Sequence, residues 1–297
     1  MLIVILKKHN TKMSSEKSVA YLIELDKIFE EKNWKEKENY TYVLEALSSF
    51  SDIIFENDEE YDLFLELLQR FHWISLNDYY NSCRHLLIDL LRELNTNIQN
   101  IYLFPIIEKV QQSKVKSGNF IAYLIKSLIP SIPNNEKYKF EDINNFADIS
   151  KIRFKKSDVL LLVDDFIGSG ETLEKCIKDI RDANKNIGNK IKVLTIAIRK
   201  DTFDRLSKSY NIYKSIEVLK GISDYNTGAD VMDKKNVMRN IEKRIFTSID
   251  DYSLGFKESE SLITLLRTPD NTFPIFWNNY KKHINLQPPF PRQHEKI

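Results

Sequence analysis

The stretch Val159 to Leu173 reads VLLLVDDFIGSGETL: an apolar run, two aspartates, a turn of small residues, and the opening of a helix. An unbroken run of Val and Leu is the pattern of a strand buried on both faces of a parallel sheet, because no solvent face demands alternation. Asp164 and Asp165 then stand at the strand's carboxyl end, which in an open α/β sheet is the end where ligands bind. The turn from Ile167 to Thr172 feeds a helix whose first amides lack an intrahelical acceptor, so an anion is expected there.

Downstream of this stretch, apolar runs and helical patterns alternate. Ile191 to Ile198 (IKVLTIAI) and Ile212 to Leu219 read as strands, Thr202 to Ser209 as a short helix, and Asp233 to Ile249 as a basic amphipathic helix. Leu262 to Leu266 follows as a strand, and Phe273 to Trp277 as an apolar close. Upstream, Ile101 to Ile107 (IYLFPII) reads as the first sheet strand, ended or distorted by Pro105, and Asn119 to Leu128 as a helix. Residues 130–150, polar and proline-containing, read as a loop near the ligand end and a candidate lid. Alternation of this kind predicts an α/β fold with a mainly parallel sheet.

The front of the chain differs. From Ser15 to about Leu94 it contains no glycine and repeats apolar residues at three- and four-residue spacing, as in Tyr21, Leu22, Leu25, Ile28 and Phe29. Helices are expected over Tyr42 to Phe55, Glu59 to Trp73 and Leu76 to Leu94, with Asn57, Asp58 and Ser75 as candidate caps. The aromatic stripe of Tyr61, Phe64, Phe71 and Trp73 reads as helix core. Composition therefore divides the chain into an N-terminal all-α subdomain, residues 1–98, and an α/β domain, residues 99–297.

Lys and Arg total 44 against 43 Asp and Glu, a formal charge of +1, so no whole-molecule field favours nucleic acid or anionic lipid. The helix 233–249, with Lys234, Lys235, Arg239, Lys243 and Arg244, is where nucleic-acid contacts could gather, although a solvated face is the simpler reading. The two cysteines, Cys83 and Cys176, suggest free thiols in a cytoplasmic protein and speak against zinc. The opening MLIVILKKHN has too short an apolar run for a membrane span and its basic pair on the wrong side for a signal peptide. It reads as an edge strand, with Met13 an alternative start.

Three phosphate-binding designs compete for Gly168-Ser169-Gly170. A nucleotide-hydrolysing loop requires GxxxxGK[ST], but Glu171 follows Gly170. A dinucleotide fold requires GxGxxG directly after the strand, but two aspartates intervene and Leu173 takes the third glycine's place. What remains is a strand, an acidic pair, two apolar residues and a small-Ser-Gly-x-Thr turn, which resembles the signature of the type I phosphoribosyltransferases.

That resemblance implies that Asp164 and Asp165 engage the ribose hydroxyls of 5-phosphoribosyl 1-pyrophosphate and are the catalytic pair. It implies that Gly168, Ser169, Gly170 and Thr172 wrap the 5-phosphate, with Glu171 the departure in the turn. Mg²⁺ would bridge pyrophosphate and ribose with the two carboxylates as direct or indirect ligands, and Ser117 and Gly118 are candidates for the pyrophosphate loop. Adjacent carboxylates suit a vicinal diol, and glycines let amides approach phosphate oxygens. Lys114, Lys116, Arg199 and Lys200 are further candidate cations.

Over roughly its whole length, the helical front included, and most clearly in YLFPI, SGNFIAYL, VDDFIGSGET and LGFKESESLITLLRTPDNTFPIFW, the chain is similar to phosphoribosyltransferase-like proteins of bacterial conflict systems. This implies an effector or toxin in an anti-phage, retron-associated locus, with partners such as a reverse transcriptase or a winged-helix protein. The alternative is a module that senses a phosphoribosyl metabolite or nucleotide without catalysis, or a structural partner in such a complex.

Overall fold

The computed structural model describes residues 15–111, 113–246, 251–280 and 286–292. The edge strand expected at residues 1–10 and the alternative start at Met13 lie outside them. Helices α1 (Ser15–Glu31), α2 (Tyr40–Ser48), α3 (Phe50–Ile53) and α4 (Asp58–Arg70) lead to β1 (His72–Trp73) and α5 (Leu76–Glu93). Then follow β2 (Asn100–Pro105), α6 (Ser117–Leu128), β3 (Lys139–Asp142), α7 (Phe146–Lys151), β4 (Asp158–Ile167) and α8 (Glu171–Ala183). The remaining elements are β5 (Ile191–Arg199), α9 (Lys200–Leu206), β6 (Asn211–Val218), α10 (Ala229–Ile245) and β7 (Ile263–Thr264). A mixed α/β fold with parallel sheets and an N-terminal helical region is present, as the sequence predicts.

The chain folds as two units, one from Leu76 to Val218 and one that joins the segment up to Ser75 with the segment from Leu219 onward. Composition placed the division at 98/99; contacts place α5 with the sheet and return the chain to the helical front after β6. The physical reason is that an amphipathic helix carries the same periodicity whether it packs on helices or on a sheet.

In the α/β unit five parallel strands run in the order β3-β2-β4-β5-β6. Leu160, Leu161, Leu162 and Val163 of β4 are fully buried, which accounts for the absence of alternation. Pairing with β2 ends at Pro105↔Val163, whereas pairing with β5 continues to Ile167↔Ile198. Asp164 and Asp165 therefore stand just past the end of β2. Because the chain departs from β2 to β3 on one side and returns in β4 on the other, this is the sheet's topological switch point. The β4–β5 register skips the Asp165–Ile196 pair and resumes at Phe166↔Ala197.

Residues 130–150 correct the loop expectation. Lys139–Asp142 is β3, in register with Asn100–Leu103 of β2, and Asn145 caps the short helix α7 by accepting from the Asp148 amide at 2.9 Å. A four-residue charged edge strand, KFED, offers neither alternation nor an apolar run, so its sequence carries no strand signal. With β3 paired into the sheet, this part of the segment is scaffold and not a lid.

In the other unit, residues from α1 to α4 share one core with Met238, Ile241, Ile245, Phe273, Ile275 and Phe276. Phe64 and Phe276 stack at 5.5 Å, and β1 pairs in parallel with β7 through His72↔Ile263 and Trp73↔Thr264. The expected strand 262–266 thus shortens to two residues. The expected helix 42–55 is interrupted at Ser49, while Asn57 caps α4 by accepting from the Glu60 amide at 3.1 Å. The aromatic stripe is core, as predicted.

Candidate functional site

Strand β4 delivers the two aspartates to the switch point. The Ser117 hydroxyl, at the start of α6, donates to Asp164 Oδ1 at 2.6 Å, and the Asp165 amide donates to the same oxygen at 2.9 Å. The Tyr79 hydroxyl, from α5, donates to Asp165 Oδ2 at 2.7 Å. Among the described residues these donors go to Asp164 Oδ1 and Asp165 Oδ2, and the two carboxyl side chains also meet each other. Burial first, then the adjacent Asp165 charge, pushes the Asp164 carboxyl well above its ordinary range, and the Ser117 and Asp165 donors offset this only in part. Asp164 holds charge there at a cost, which a diol or a cation would relieve.

Gly118 follows Ser117 and is buried against the end of the sheet. A Cβ on it would lie 2.8 Å from the Val163 carbonyl oxygen and 3.1 Å from the Ile106 amide nitrogen. Its glycine is thus explained by the close approach of α6 to the end of β4, which brings Ser117 to Asp164. Lys114 and Lys116 lie in the connection before α6, where the Lys116 amide donates to Asn119 Oδ1 at 2.9 Å.

The turn after β4 is fastened from one side by α9. Thr202 Oγ1 donates to the Gly168 carbonyl at 2.7 Å, and Arg205 Nη2 donates to the Ser169 carbonyl at 2.8 Å. In a trans peptide the C=O and the following N–H point opposite ways. The amides of Ser169 and Gly170 therefore face away from α9. Gly170 has φ +84°, and a Cβ there would sit 2.9 Å from Leu206 Cδ1 and 3.0 Å from Arg205 Nη2. Only glycine meets both conditions without strain. Helix α8 starts at the next residue and adds the amides of its first turn. Glu171 and Thr172 are exposed at that helix start.

Sequence reasoning missed Tyr79, Thr202 and Arg205. Thr202 lies 34 residues from its partner and Tyr79 86 residues from its own, and neither belongs to a local motif. Arg199 and Lys200, considered as candidate cations, pair with Asp201 and with Asp204 (2.9 Å). The cations of α10 also have partners: Lys234 pairs with Glu66 at 2.7 Å, Lys235 with Glu260 at 2.7 Å, Arg239 with Glu258 at 2.6 Å and Arg244 with Glu60 at 2.6 Å. The solvated face expected of that helix is instead a row of intramolecular ion pairs.

Both cysteines are buried free thiols, and burial pushes each up to about 12. Among the described residues no helix is long and apolar enough to cross a membrane. No group of three or more His, Cys, Asp or Glu side chains among them forms a metal cage.

The sequence pattern described as PRTase-CE matches residues 50–292, most of the chain, and the chain belongs to that family. No curated protein matches it. The protein is phosphoribosyltransferase-like in sequence, and its parallel sheet carries the family-like motif at the switch point.

Proposed function

We propose that this PRTase-CE member binds 5-phosphoribosyl 1-pyrophosphate, or a related nucleotide, across the end of β4. Asp164 and Asp165 hold the ribose hydroxyls, and the amides of Ser169, Gly170 and the first turn of α8 hold the 5-phosphate. The hydroxyls of Ser169 and Thr172 add donors, and Gly168 lets the turn approach. The observation that carries this reading is the fastening of the Gly168 and Ser169 carbonyls by Thr202 and Arg205, which leaves the turn's amides aimed away from α9. Each charge-assisted bond of this kind contributes about 1.5–3 kcal/mol.

The donor set fits Mg²⁺, which takes oxygen ligands and is commonly held by one or two carboxylates together with substrate phosphates. Asp164 and Asp165 would hold it directly or through water, and it would supply charge neutralisation for the departing pyrophosphate. The chain's own contribution is positional. The carboxylates orient the ribose and stabilise positive charge developing at its C1 as a nucleophile displaces pyrophosphate. Ser117, on Asp164, keeps the start of α6 beside the leaving group's side of the sugar.

In the cell this activity would make the protein an effector in an anti-phage defence system. Calorimetry with 5-phosphoribosyl 1-pyrophosphate and Mg²⁺ tests the cradle: the wild type binds, and an Asp164→Asn/Asp165→Asn variant loses affinity by about a hundredfold or more. Equal heats for the two proteins would sink the assignment. Release of pyrophosphate on adding bases or nucleotides then separates a transferase from a sensor.

A further inference from the structure

We propose that the first half of α6 and the connection before it form a docking surface for single-stranded nucleic acid, beside the acidic pair and separate from the sugar-phosphate cradle. From Lys109 to Asn135 the chain carries four lysines and no carboxylate, a local excess in a chain whose formal charge is +1. Lys126 pairs with Asp142. Lys114 and Lys116 have no ion-pair partner among the described residues, unlike Lys234, Lys235, Arg239 and Arg244 of α10. The cations left for a phosphate backbone are therefore on this segment and not on the helix that reads as basic.

An aromatic platform stands among them. Tyr123 is 75% exposed, and its ring meets no other ring among the described residues. Beside it lies a cavity of about 190 Å³, lined also by Pro105, Ile143, Asn119 and Asn144. The Lys116 amide occupies Asn119 Oδ1, which leaves Asn119 Nδ2 and the Asn144 amide without hydrogen-bond partners among the described residues. Pro105 is in register with Val163, the residue before Asp164, and Ser117, two residues before Asn119, donates to Asp164. The cavity thus opens next to the acidic pair, on the β2 side of the switch point.

A single strand answers each of these features. Its phosphates engage Lys114 and Lys116, one base stacks on Tyr123 and enters the cavity, and the two amides meet that base's edge. Stacking of this kind tolerates any sequence, because every base has a π-face. A duplex keeps its bases inside the stack and offers the ring none.

Fluorescence anisotropy on the full chain tests this, with a short oligo(dT) labelled at its 3′ end and bearing a 5′-hydroxyl. The wild type binds at low salt. Lys114→Gln/Lys116→Gln weakens binding and lowers the magnitude of the log–log salt slope by about 1.4, the value for two single-strand phosphates. Tyr123→Ala weakens binding about tenfold with the slope kept, and Tyr123→Phe binds as the wild type does. No binding by the wild type at low salt overturns the proposal, as does binding that neither the lysine nor the alanine variant changes. A duplex bound as tightly as the single strand, with Tyr123→Ala without effect, overturns the assignment to single strands. The probe carries neither pyrophosphate nor a terminal phosphate, so its failure leaves the cradle standing, and failure of 5-phosphoribosyl 1-pyrophosphate to bind leaves this surface standing.

Discussion

Two sets of carboxylates, one in each unit, are treated in opposite ways. In the helical unit Glu260 is fully buried, and its carboxylate accepts from the Ile222 and Ser223 amides at 3.0 and 2.8 Å and from the Ser223 hydroxyl at 2.7 Å. Lys235 adds an ion pair at 2.7 Å. Burial alone would raise this carboxyl, yet the ammonium and the three donors outweigh it and hold Glu260 below its ordinary value. Asp164, in the α/β unit, has two donors, a like charge beside it and no cation, and sits well above its ordinary value. A saturated buried charge is structural. One left with a like charge and no cation stores a demand that a ligand can answer.

The helical unit also holds its carboxylates with a constrained backbone. Leu254, Lys257, Glu258 and Glu260 all have φ between 49° and 58°, the left-handed region. Glu242, fully buried on α10, accepts from the Leu254 amide at 3.1 Å and the Ser253 hydroxyl at 2.8 Å, and the Glu260 amide donates to the Leu254 carbonyl at 2.7 Å. These contacts offset a local cost of order 1 kcal/mol or more per residue. In the α/β unit the described residues with positive φ are Asn134, Gly170 and Gly188, of which Gly170 belongs to the phosphate turn.

The comparison breaks most sharply at Glu260. Glu260→Ala leaves Lys235 and two amides without their buried acceptor and should cost about 3–5 kcal/mol in urea unfolding. If stability is kept, Glu260 is not the anchor described. The acidic pair should behave in the contrary sense: Asp164→Asn/Asp165→Asn, while losing the ligand, should leave unfolding free energy unchanged or raise it by about 1–3 kcal/mol at neutral pH. A strongly destabilised double variant would mean that this pair, too, is structural.

Glu242 sharpens the contrast through pH. Burial pushes its carboxyl up to about 7, against partial opposition from Ser253, the Leu254 amide and Arg239. Between the ordinary carboxylate value and about 7 the folded chain holds a proton that the unfolded chain has released. Its contribution to stability is therefore present at low pH and is lost as pH rises through 7, by roughly 2–3 kcal/mol. Comparing Glu242→Gln with wild type at pH 5 and pH 8 should show the variant with the flatter profile; parallel profiles would remove Glu242 as the titrating group.

The smallest effect is expected in the turn. Gly170→Ala meets both a positive φ and the Leu206 and Arg205 side chains, and should cost about 1–2 kcal/mol of stability together with weakened phosphate binding. Unimpaired phosphate binding in that variant would separate the turn from the cradle.

Much of the α/β unit could be read in advance because its signals are local. The buried strand, the aspartates at its end and the glycine turn lie within fifteen consecutive residues, and the flanking strands are apolar runs of their own. The helical front was legible as helices and as core, but not as a partner of the chain's last third, since a shared core leaves no mark on either segment alone. Strand β3 was hidden by its charges. The basic helix α10 was legible as basic, while its carboxylate partners come from elements distant in sequence, so the fate of its charge could not be read.

By itself the sequence determined what chemistry stands at the end of β4: two carboxylates and a small-residue turn opening a helix, because side-chain identity and local backbone preference are properties of neighbours in the chain. Only the tertiary structure decided which oxygens of those carboxylates are occupied and which way the turn's amides face. Tyr79 and Ser117 set the first and Thr202 and Arg205 the second, and they are brought there by three helices, α5, α6 and α9. Hydrogen bonds across such separations form only when the chain between them has folded, so the site's contents are local and its aim is not.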